Sequence, residues 1–353
     1  MLHDLPQILH EFATLASRLV AGPAQVDPVT DLLVGADVGG SSARVAVAAL
    51  EHGIVAAARG GVGNPNVIGL AGSAAVIREA MTRALAGVSG SVVAVVIGLA
   101  GGTRALNDQD YVRAVLADGV DVPARIVSDL NAAFSSATPA EEGYAMIAGT
   151  GAVAGRVTGS EVGDRRDGWG WLLGDRGSGF WLGRAAVQST LQQLDDGGPL
   201  SRLQQAVLAA LGADLDQGRY VASRELVRAC YAEPPIRLAR LAPLVSEHAP
   251  TDQVASALAD RAAELLTATL LSLRPAPGLP VVLGGSVLST PGPIGDRVRT
   301  RISDLPNPVL TAFSGLVGAT WLAARSRGAS DPVVHRRLQE TAPPSMTGPE
   351  TAR

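Results

Sequence analysis

A strand–turn–strand pattern occurs twice in this chain, and it limits the possible folds more than any other part of the sequence. One copy, GADVGGSSARVAVA, covers Gly35–Ala48, and the other, MIAGTGAVAGRVTG, covers Met146–Gly159. In each copy an apolar run reaches a glycine-containing turn and a second apolar run follows directly, which is typical of an antiparallel hairpin. The repeated hairpin predicts two halves of similar construction that face one another.

The composition fits a folded chain with two cores. The 353 residues are 47% hydrophobic and 18% charged, with a mean hydropathy of +0.23, which excludes disorder for most of the chain. A chain of this length can bury about three quarters of its unfolded surface. The net charge of −4, without a basic block, argues against nucleic acid as a partner. The chain has no uninterrupted apolar run of about 18 residues, so we expect no membrane span and a cytoplasmic protein.

Two residue counts exclude whole classes of chemistry. All 29 basic residues are arginine, so a P-loop lysine, a protein-kinase lysine and Schiff-base catalysis are excluded. Cys230 is the only cysteine, which excludes intrachain disulfides, cysteine-rich zinc sites and an iron–sulfur cage within the chain. We interpret Cys230 as a buried, unreactive thiol.

The apolar runs predict an α/β chain of two domains. Their order in the first half is β-β-β-α-β-α-β, which is typical of a layered mixed sheet. The predicted segments are an N-terminal helix and linker (1–30), a first domain (31–136), a second domain (137–327) and a disordered tail (328–353). The last predicted helix runs from Phe313 to about Ala324. The sequence leaves open whether it packs against the second domain or against the first.

The first hairpin turn places an acid before two glycines and two serines. Glycines let the backbone approach a phosphate, and N–H and hydroxyl groups bind its oxygens. An acid cannot face a phosphate without repulsion, so Asp37 is predicted to hold Mg²⁺ with waters retained. The alternative to a phosphate site is an ordinary tight hairpin turn, and this motif alone favours the two interpretations about equally. The candidate phosphate-binding residues are Gly39, Gly40, Ser41 and Ser42.

Two more glycine turns follow predicted strands. Gly149–Thr150–Gly151 offers the same chemistry without the acid, and Gly284–Gly285–Ser286 follows a strand late in the chain. Three such turns in this order carry more weight than any one of them. A Rossmann site is excluded because the first turn leads into a strand and GxGxxG is absent.

Two acids and a tryptophan-rich stretch complete the candidate chemistry. Asp129 ends a short strand before a helical stretch, which suits either a helix N-cap or a catalytic base at the carboxyl end of a sheet strand. Asp175 is a plausible turn residue. Residues 167–183 hold three of the four tryptophans and six glycines, a combination that suits a sugar ring. Trp171 and Trp181 are nevertheless expected to pack into the core.

The motifs occur in an order that resembles a known family. They are DVGGSSAR, GNPN, GLAGG, SD before a helix, IAGTGAVAG, GWGWLLGDRGSGFWLGR and LGGSV, between about Leu32 and Ala324. Together they resemble the N-acetylglucosamine kinase branch of the BadF/BadG/BcrA/BcrD-type ATPase superfamily, within the sugar kinase/Hsp70/actin fold. The resemblance implies two ribonuclease-H-like domains that close over a cleft holding ATP and Mg²⁺, and a homodimer.

The resemblance also implies residue roles. Asp129 would accept the proton of the sugar 6-hydroxyl as that hydroxyl attacks the γ-phosphate of ATP. The Asp37–Arg44 turn, with Arg44 included, and Gly149–Gly151 would hold the phosphates, and Gly284–Ser286 would lie near adenosine. The implied sugar-contacting residues are Asn64, Asp129, Gly168, Trp169, Gly170 and Asp175.

Two departures from the family motifs change the charge beside the implied sugar pocket. DGWG replaces GGWG and GDRGS replaces GDEGS, through Asp167 and Arg176. They form either a compensating pair or, in a second hypothesis, a site where Asp167 favours the ammonium group of glucosamine. The acceptor therefore stays open among N-acetylglucosamine, glucosamine and N-acetylmuramic acid.

Other functional classes fit the sequence less well. A nucleotide- or sugar-sensing protein without catalysis remains an alternative, although such a protein is expected to lack Asp129 or Asp37. The superfamily branch that activates 2-hydroxyacyl-CoA dehydratases needs paired cysteines, and the usual zinc site of ROK sugar kinases is cysteine-rich. Neither fits a chain whose only cysteine is Cys230.

Overall fold

A computed structural model describes residues 30–40, 42–101, 108–159 and 161–347. The predicted N-terminal helix, Ser41 and residues 348–353 lie outside these ranges. The described residues form two five-stranded mixed sheets with helices packed against them. The predicted α/β architecture is confirmed. None of the helices in the described ranges has the length and apolar character needed to span a bilayer.

The first sheet and its crossover helices come from the first half of the chain. They are β1 (Asp31–Val38), β2 (Ala43–Ala49), β3 (Gly53–Gly60), α1 (Pro65–Leu85), β4 (Ser91–Leu99), α2 (Gln109–Ala114) and β5 (Ala124–Ser128). The order across the sheet is β3-β2-β1-β4-β5, antiparallel from β3 to β1 and parallel from β1 to β5. β1 and β4 are almost wholly apolar because helices cover both faces of their sheet.

The second sheet repeats this topology. Its elements are α3 (Asp129–Ala137), β6 (Glu142–Ala148), β7 (Ala152–Thr158), β8 (Glu161–Asp167), β9 (Val281–Gly284) and β10 (Val309–Thr311). The order is β10-β9-β6-β7-β8, with an antiparallel meander from β6 to β8 and parallel neighbours beyond β6. The apolar pattern of the sequence indicated neither edge strand, because β8 is a largely exposed, charged run and β10 is very short.

The second half also carries a helical layer. Its elements are α4 (Gly179–Asp196), α5 (Arg202–Ala210), α6 (Arg219–Tyr231), a 3-10 helix (Pro235–Leu241), α7 (Ala242–His248), α8 (Gln253–Leu271), α9 (Ser286–Ser289) and α10 (Pro293–Arg301). Apolar residues of this layer and of the second sheet form the largest buried cluster.

Two helices connect the halves. α3 buries Leu130 and Phe134 against Val153 and Val282 of the second sheet. α11 (Gly315–Ser326) follows β10 in the chain but packs Trp321 against the first sheet, beside Leu33. The last helix of the predicted second domain therefore contacts the first sheet.

The prediction of a disordered tail is wrong for the described part of that segment. α12 (Pro332–Thr341) begins at an Asp331 N-cap with proline at its first position, and α13 (Pro344–Thr347) follows it. α12 buries His335 and Leu338, and Nε2 of His335 donates to the Ser135 carbonyl of α3 at 2.9 Å. The prolines and small polar residues around this helix concealed its short apolar face.

The buried His335 predicts a pH-dependent contribution to stability. Burial lowers the pKa of His335 below its ordinary value, so the unfolded chain binds more protons near this group. Its contribution is complete above the unfolded pKa of about 6.5 and is lost as the pH falls below that value. His335→Gln keeps an N–H donor and removes the titration. Denaturant unfolding at pH 8 and pH 5 should show a smaller loss of stability in His335→Gln than in the unsubstituted protein.

His52, which is exposed, supplies the matched control for this measurement. His52→Gln should leave the pH dependence of unfolding unchanged. An equal pH dependence in His335→Gln and the unsubstituted protein would assign the effect to other groups.

Candidate functional site

Asp37 and Asp129 lie at the same edge of the first sheet. The register places Val38 of β1 beside Leu99 of β4, and Leu99 beside Ser128 of β5. Asp37 therefore ends one parallel strand, and Asp129 directly follows another that lies about 10 Å away, at two strand spacings. The negative charge of Asp37 acts on the pKa of Asp129, so the two carboxylates share one electrostatic environment.

Asp129 is the first residue of α3 and is half-buried. Burial raises the pKa of its carboxyl to about 6, and the nearby charge of Asp37 adds to that rise. The backbone N–H of Leu130, which donates to Oδ1 at 2.9 Å, and the charge of Arg165 oppose the rise. The helix N-cap is Ser128, whose hydroxyl accepts from the Asn131 N–H, so the capping alternative for Asp129 is wrong. A carboxylate with this pKa is ionised at neutral pH and suits a general base.

Arg44 contacts protein groups around Asp37. Its Nη2 donates to Asp37 Oδ2 at 2.5 Å, and its Nη1 donates to the Met346 carbonyl at 3.1 Å. The resemblance implied a phosphate contact for Arg44; here the guanidinium neutralises the predicted metal ligand. Met346 comes from the segment predicted to be disordered, so no sequence signal pointed to this contact.

The first turn is closed by its own backbone. The Gly39 N–H donates to the Ser42 carbonyl at 2.9 Å, and the Gly63 N–H donates to the Gly39 carbonyl at 3.3 Å. Gly40 has open space around it, and Ser42 is buried. Ser41 lies outside the described residues. The turn thus has both the hairpin geometry and an open glycine that a phosphate could approach.

Asn64 follows this turn and caps α1. Its Oδ1 accepts from the Asn66 N–H at 2.8 Å, and the Asn66 side chain donates to the Gly101 carbonyl beyond β4 at 3.2 Å. Asn64 is therefore held at the same edge of the sheet as Asp37. A sugar-contacting role for it stays a prediction.

The second and third glycine turns meet. A Cβ placed on Gly285, whose φ is +80°, would lie 2.4 Å from the Ala148 carbonyl oxygen. Only glycine fits so close to β6, and this contact brings Ser286 beside Gly149. The Gly149 and Thr150 carbonyls accept the N–H groups of Gly179 and Phe180, which anchors the second turn to the start of α4. Gly284 is the last residue of β9.

Asp175 joins the second turn to the tryptophan-rich loop. Its carboxylate accepts backbone N–H groups from Ala152 and Gly170, and burial raises its pKa. Gly151 lies so close that an added Cβ would be 2.7 Å from Asp175 Oδ2. The Asp175 carboxylate thus lies between the second turn and the tryptophan-rich loop, and a sugar contact for it stays a prediction.

Asp167 holds the same loop from inside. Its Oδ1 accepts the Asp175 N–H at 2.7 Å, its Oδ2 accepts the Arg176 N–H at 2.9 Å, and its side chain is 3% exposed. Arg176 Nε lies 3.8 Å from the same carboxylate. This geometry agrees with the compensating pair and contradicts the hypothesis of a free Asp167 carboxylate that binds an ammonium group.

The prediction that two of the tryptophans pack into the core holds for Trp181 and is wrong for Trp171, which is 37% exposed. Trp169, between Gly168 and Gly170, is 72% exposed and presents an indole that could contact a sugar. Trp181 packs on the second core, and Trp171 packs edge-on against Phe180 with ring centroids 5.5 Å apart.

Gly315 is a site residue that the sequence analysis missed. A Cβ on this first residue of α11 would lie 2.6 Å from the Asp37 carboxylate. The α11 N-terminus therefore packs directly on that acid. A lone glycine before an apolar helix gives no sequence signal of such a contact.

The donor set fits Mg²⁺ only with help from a nucleotide. No group of three or more His, Cys, Asp or Glu side chains that could hold a metal occurs among the described residues. Mg²⁺ often binds through one or two carboxylates together with substrate phosphates and waters. Asp37 supplies one carboxylate for such a site, and Asp129 supplies a second one nearby.

Comparisons with known proteins agree with the motifs. The profile of the BadF/BadG/BcrA/BcrD ATPase family matches residues 34–323. An N-acetyl-D-glucosamine kinase of Dictyostelium discoideum is 28% identical over 224 residues, which are 59% of this chain and 68% of that relative. An N-acetylmuramic acid/N-acetylglucosamine kinase of Clostridium acetobutylicum is 26% identical over 182 residues, 50% of this chain and 58% of the relative.

A solved structure extends the likeness to the fold. It is that of a candidate N-acetylglucosamine kinase from Chromobacterium violaceum, with a TM-score of 0.66 and 25% identity, covering 84% of this chain and all of that one (100%). The predicted resemblance is therefore confirmed, and the chain belongs to the BadF/BadG/BcrA/BcrD ATPase family.

Proposed function

We propose that this protein is an ATP-dependent kinase that phosphorylates the 6-hydroxyl of an acetamido sugar, with N-acetylglucosamine as the reference acceptor. The observation that carries the proposal is the shared edge of Asp37 and Asp129 beside the glycine turns. The named relatives support the class of reaction.

In this mechanism Asp129 acts as the base. Its carboxylate accepts the proton of the sugar 6-hydroxyl while the hydroxyl oxygen attacks the γ-phosphorus. The bond from that phosphorus to the β,γ-bridging oxygen breaks, and ADP leaves. Phosphoryl transfer through a loose transition state depends mostly on positioning and charge neutralisation, so one well-placed carboxylate is enough to orient the acceptor. The fixed position of Asp129 at the start of a buried helix supplies that orientation.

The nucleotide side depends on the turns and on Asp37. Gly40, Thr150 and Gly151 would bind phosphate oxygens through backbone N–H groups. The N–H groups of Gly39 and Gly149 close the two turns and shape them for the phosphates. Gly284–Ser286 would lie beside adenosine. Asp37 would hold Mg²⁺, which when bound neutralises charge on the phosphates. Arg44 shares Asp37 with that ion and keeps the carboxylate in place.

The acceptor side is formed by Asn64, Gly168, Trp169 and Gly170. Trp169 offers an exposed ring face to the apolar side of a pyranose. Asp175 is the remaining sugar-contacting residue of this proposal, and its carboxylate lies beside Gly151 of the phosphate turn. We place the protein in the cytoplasm and expect a homodimer, in line with the family resemblance.

An acceptor screen tests this function. ATP and Mg²⁺ are incubated with N-acetylglucosamine, glucosamine and N-acetylmuramic acid, ADP is detected by a coupled assay, and NMR locates the phosphate in the product. We expect a 6-phosphate and a fall in kcat/KM of about 10²–10⁴-fold in Asp129→Asn. Turnover equal in Asp129→Asn and the unsubstituted enzyme would reject Asp129 as the base, and no turnover with any acceptor would favour a sensing protein.

The raised pKa of Asp129 predicts the acidic limb of the pH profile. Since that pKa is about 6, kcat/KM for the acceptor should be constant near pH 8 and fall about tenfold per pH unit below pH 6. The residual activity of Asp129→Asn should lack this limb. A limb that persists in the variant would belong to another group.

The contact between Gly315 and Asp37 predicts a catalytic defect without loss of stability. Gly315→Ala forces the Asp37 carboxylate to move, and a shift of about 1 Å at a reacting centre can cost about 10²-fold in rate. Alanine suits the first turn of a helix, so thermal unfolding should not weaken. The measurements are kcat, the Mg²⁺ concentration for half-maximal rate, and Tm.

Gly163→Ala is the matched control, because no atom lies within 4 Å of its added Cβ. It should leave kcat unchanged. Normal kcat and Mg²⁺ dependence in Gly315→Ala would remove Asp37 from the metal site.

A further inference from the structure

Arg165 lies beside the acceptor end of the site but has no role in the mechanism above. It sits on β8 directly opposite Gly155 of β7. Residues opposite one another in an antiparallel pair project from the same face. A Cβ on Gly155 would meet Leu130 of α3 at 2.7 Å, so Arg165 projects from the face of the second sheet that carries α3 and Asp129.

The guanidinium reaches the sugar loop. Its Nη2 lies 3.8 Å from the position that a Cβ on Gly168 would occupy. Its positive charge is also felt at Asp129, since it opposes the rise in the pKa of that carboxyl. Arg165 therefore lies between the base and the loop that carries Trp169.

No described residue pairs with this cation. Arg165 is exposed, and its guanidinium has neither a hydrogen bond nor an ion pair of 4 Å or less within the described ranges. Asp167, two residues further along, is occupied by the backbone N–H groups of Asp175 and Arg176. Arg165 thus carries a positive charge that has no hydrogen-bonded or ion-paired partner among the described residues and lies beside the sugar loop.

We propose that Arg165 is a specificity-determining residue that binds a carboxylate on the acceptor, so that the preferred substrate is an acetamido sugar with an acidic substituent. This inference rests on the proposed kinase function. A neutral acetamido sugar leaves the guanidinium in water, where it contributes nothing to affinity. A carboxylate gives it a charge-assisted, bidentate partner, and arginine is the side chain whose planar fork matches that geometry.

N-acetylmuramic acid is the probe, because it is N-acetylglucosamine with a lactyl ether that carries one carboxylate. Its methyl ester keeps the size and removes the charge. At pH 8, where Asp129 is ionised, kcat/KM for the acid should exceed that for the ester and for N-acetylglucosamine. Arg165→Gln should lower kcat/KM for the acid by about tenfold or more, mostly through KM, and change the two neutral acceptors by less than about twofold. Arg165→Lys should restore part of the loss.

Arg156→Gln is the matched control. Arg156 follows Gly155 on β7, so it projects from the other face of the sheet, where it pairs with Glu142, and its loss should affect none of the three acceptors. Equal losses for all acceptors in Arg165→Gln would instead place Arg165 on the transferred phosphoryl group and overturn the proposal, as would the absence of any loss.

Calorimetric titration distinguishes failure of the kinase function from failure of the carboxylate site. One outcome is that N-acetylmuramic acid binds more weakly to Arg165→Gln while no acceptor leads to ADP formation. That outcome would reject the kinase function and retain the carboxylate site. Phosphorylation of N-acetylglucosamine with no Arg165-dependent preference for the acid would retain the kinase and reject the carboxylate site.

Discussion

Two like charges at one sheet edge are the constraint on which this site depends. Strands β1, β4 and β5 run parallel in one sheet. Asp37, near the end of β1, and Asp129, directly after β5, therefore lie at the same edge of that sheet. Their mutual repulsion adds to the effect of burial and holds the pKa of Asp129 near 6. Cations relieve that repulsion: Arg44 does so at Asp37, and in the proposed reaction Mg²⁺ would do so together with the nucleotide. The same repulsion makes Asp129 a stronger base.

Helix α3 transfers this geometry to the second half of the molecule. Asp129 is its first residue, and Leu130 and Phe134 are buried against the second sheet. The position of Asp129 relative to β7 and β8 is therefore fixed by core packing, which tolerates little displacement. α11 contributes from the other side, where Gly315 touches Asp37 and Trp321 packs on the first sheet.

In the tryptophan-rich loop, the charges of Asp167 and Arg176 are engaged in contacts within the loop itself. Asp167 and Arg176 depart from the family motifs, yet both belong to the internal scaffold of the loop, which is closed by backbone bonds to Asp167. Arg165 is less conspicuous in the sequence, since it is one arginine in a charged run. It nevertheless projects from the face of the second sheet that carries α3, because it lies opposite Gly155, and the proposed acceptor site uses it for that reason.

The sequence alone determined the repeated hairpins, the α/β class, the family resemblance and the three glycine turns, because each depends on local patterns of apolar residues and glycines. It could not distinguish a helix cap from a base at Asp129, nor a compensating pair from a ligand site at Asp167, since both questions concern partners distant in the chain. The fold excludes the cap at Asp129, because Ser128 caps α3, and it shows backbone N–H groups bound to Asp167. The role of Asp129 as a base stays a proposal. Edge strand β8, helix α12 and the contacts of Gly315 and Arg165 also appeared only in the fold. Their physical basis is strand register and helix packing, and neither leaves a periodic mark in the sequence.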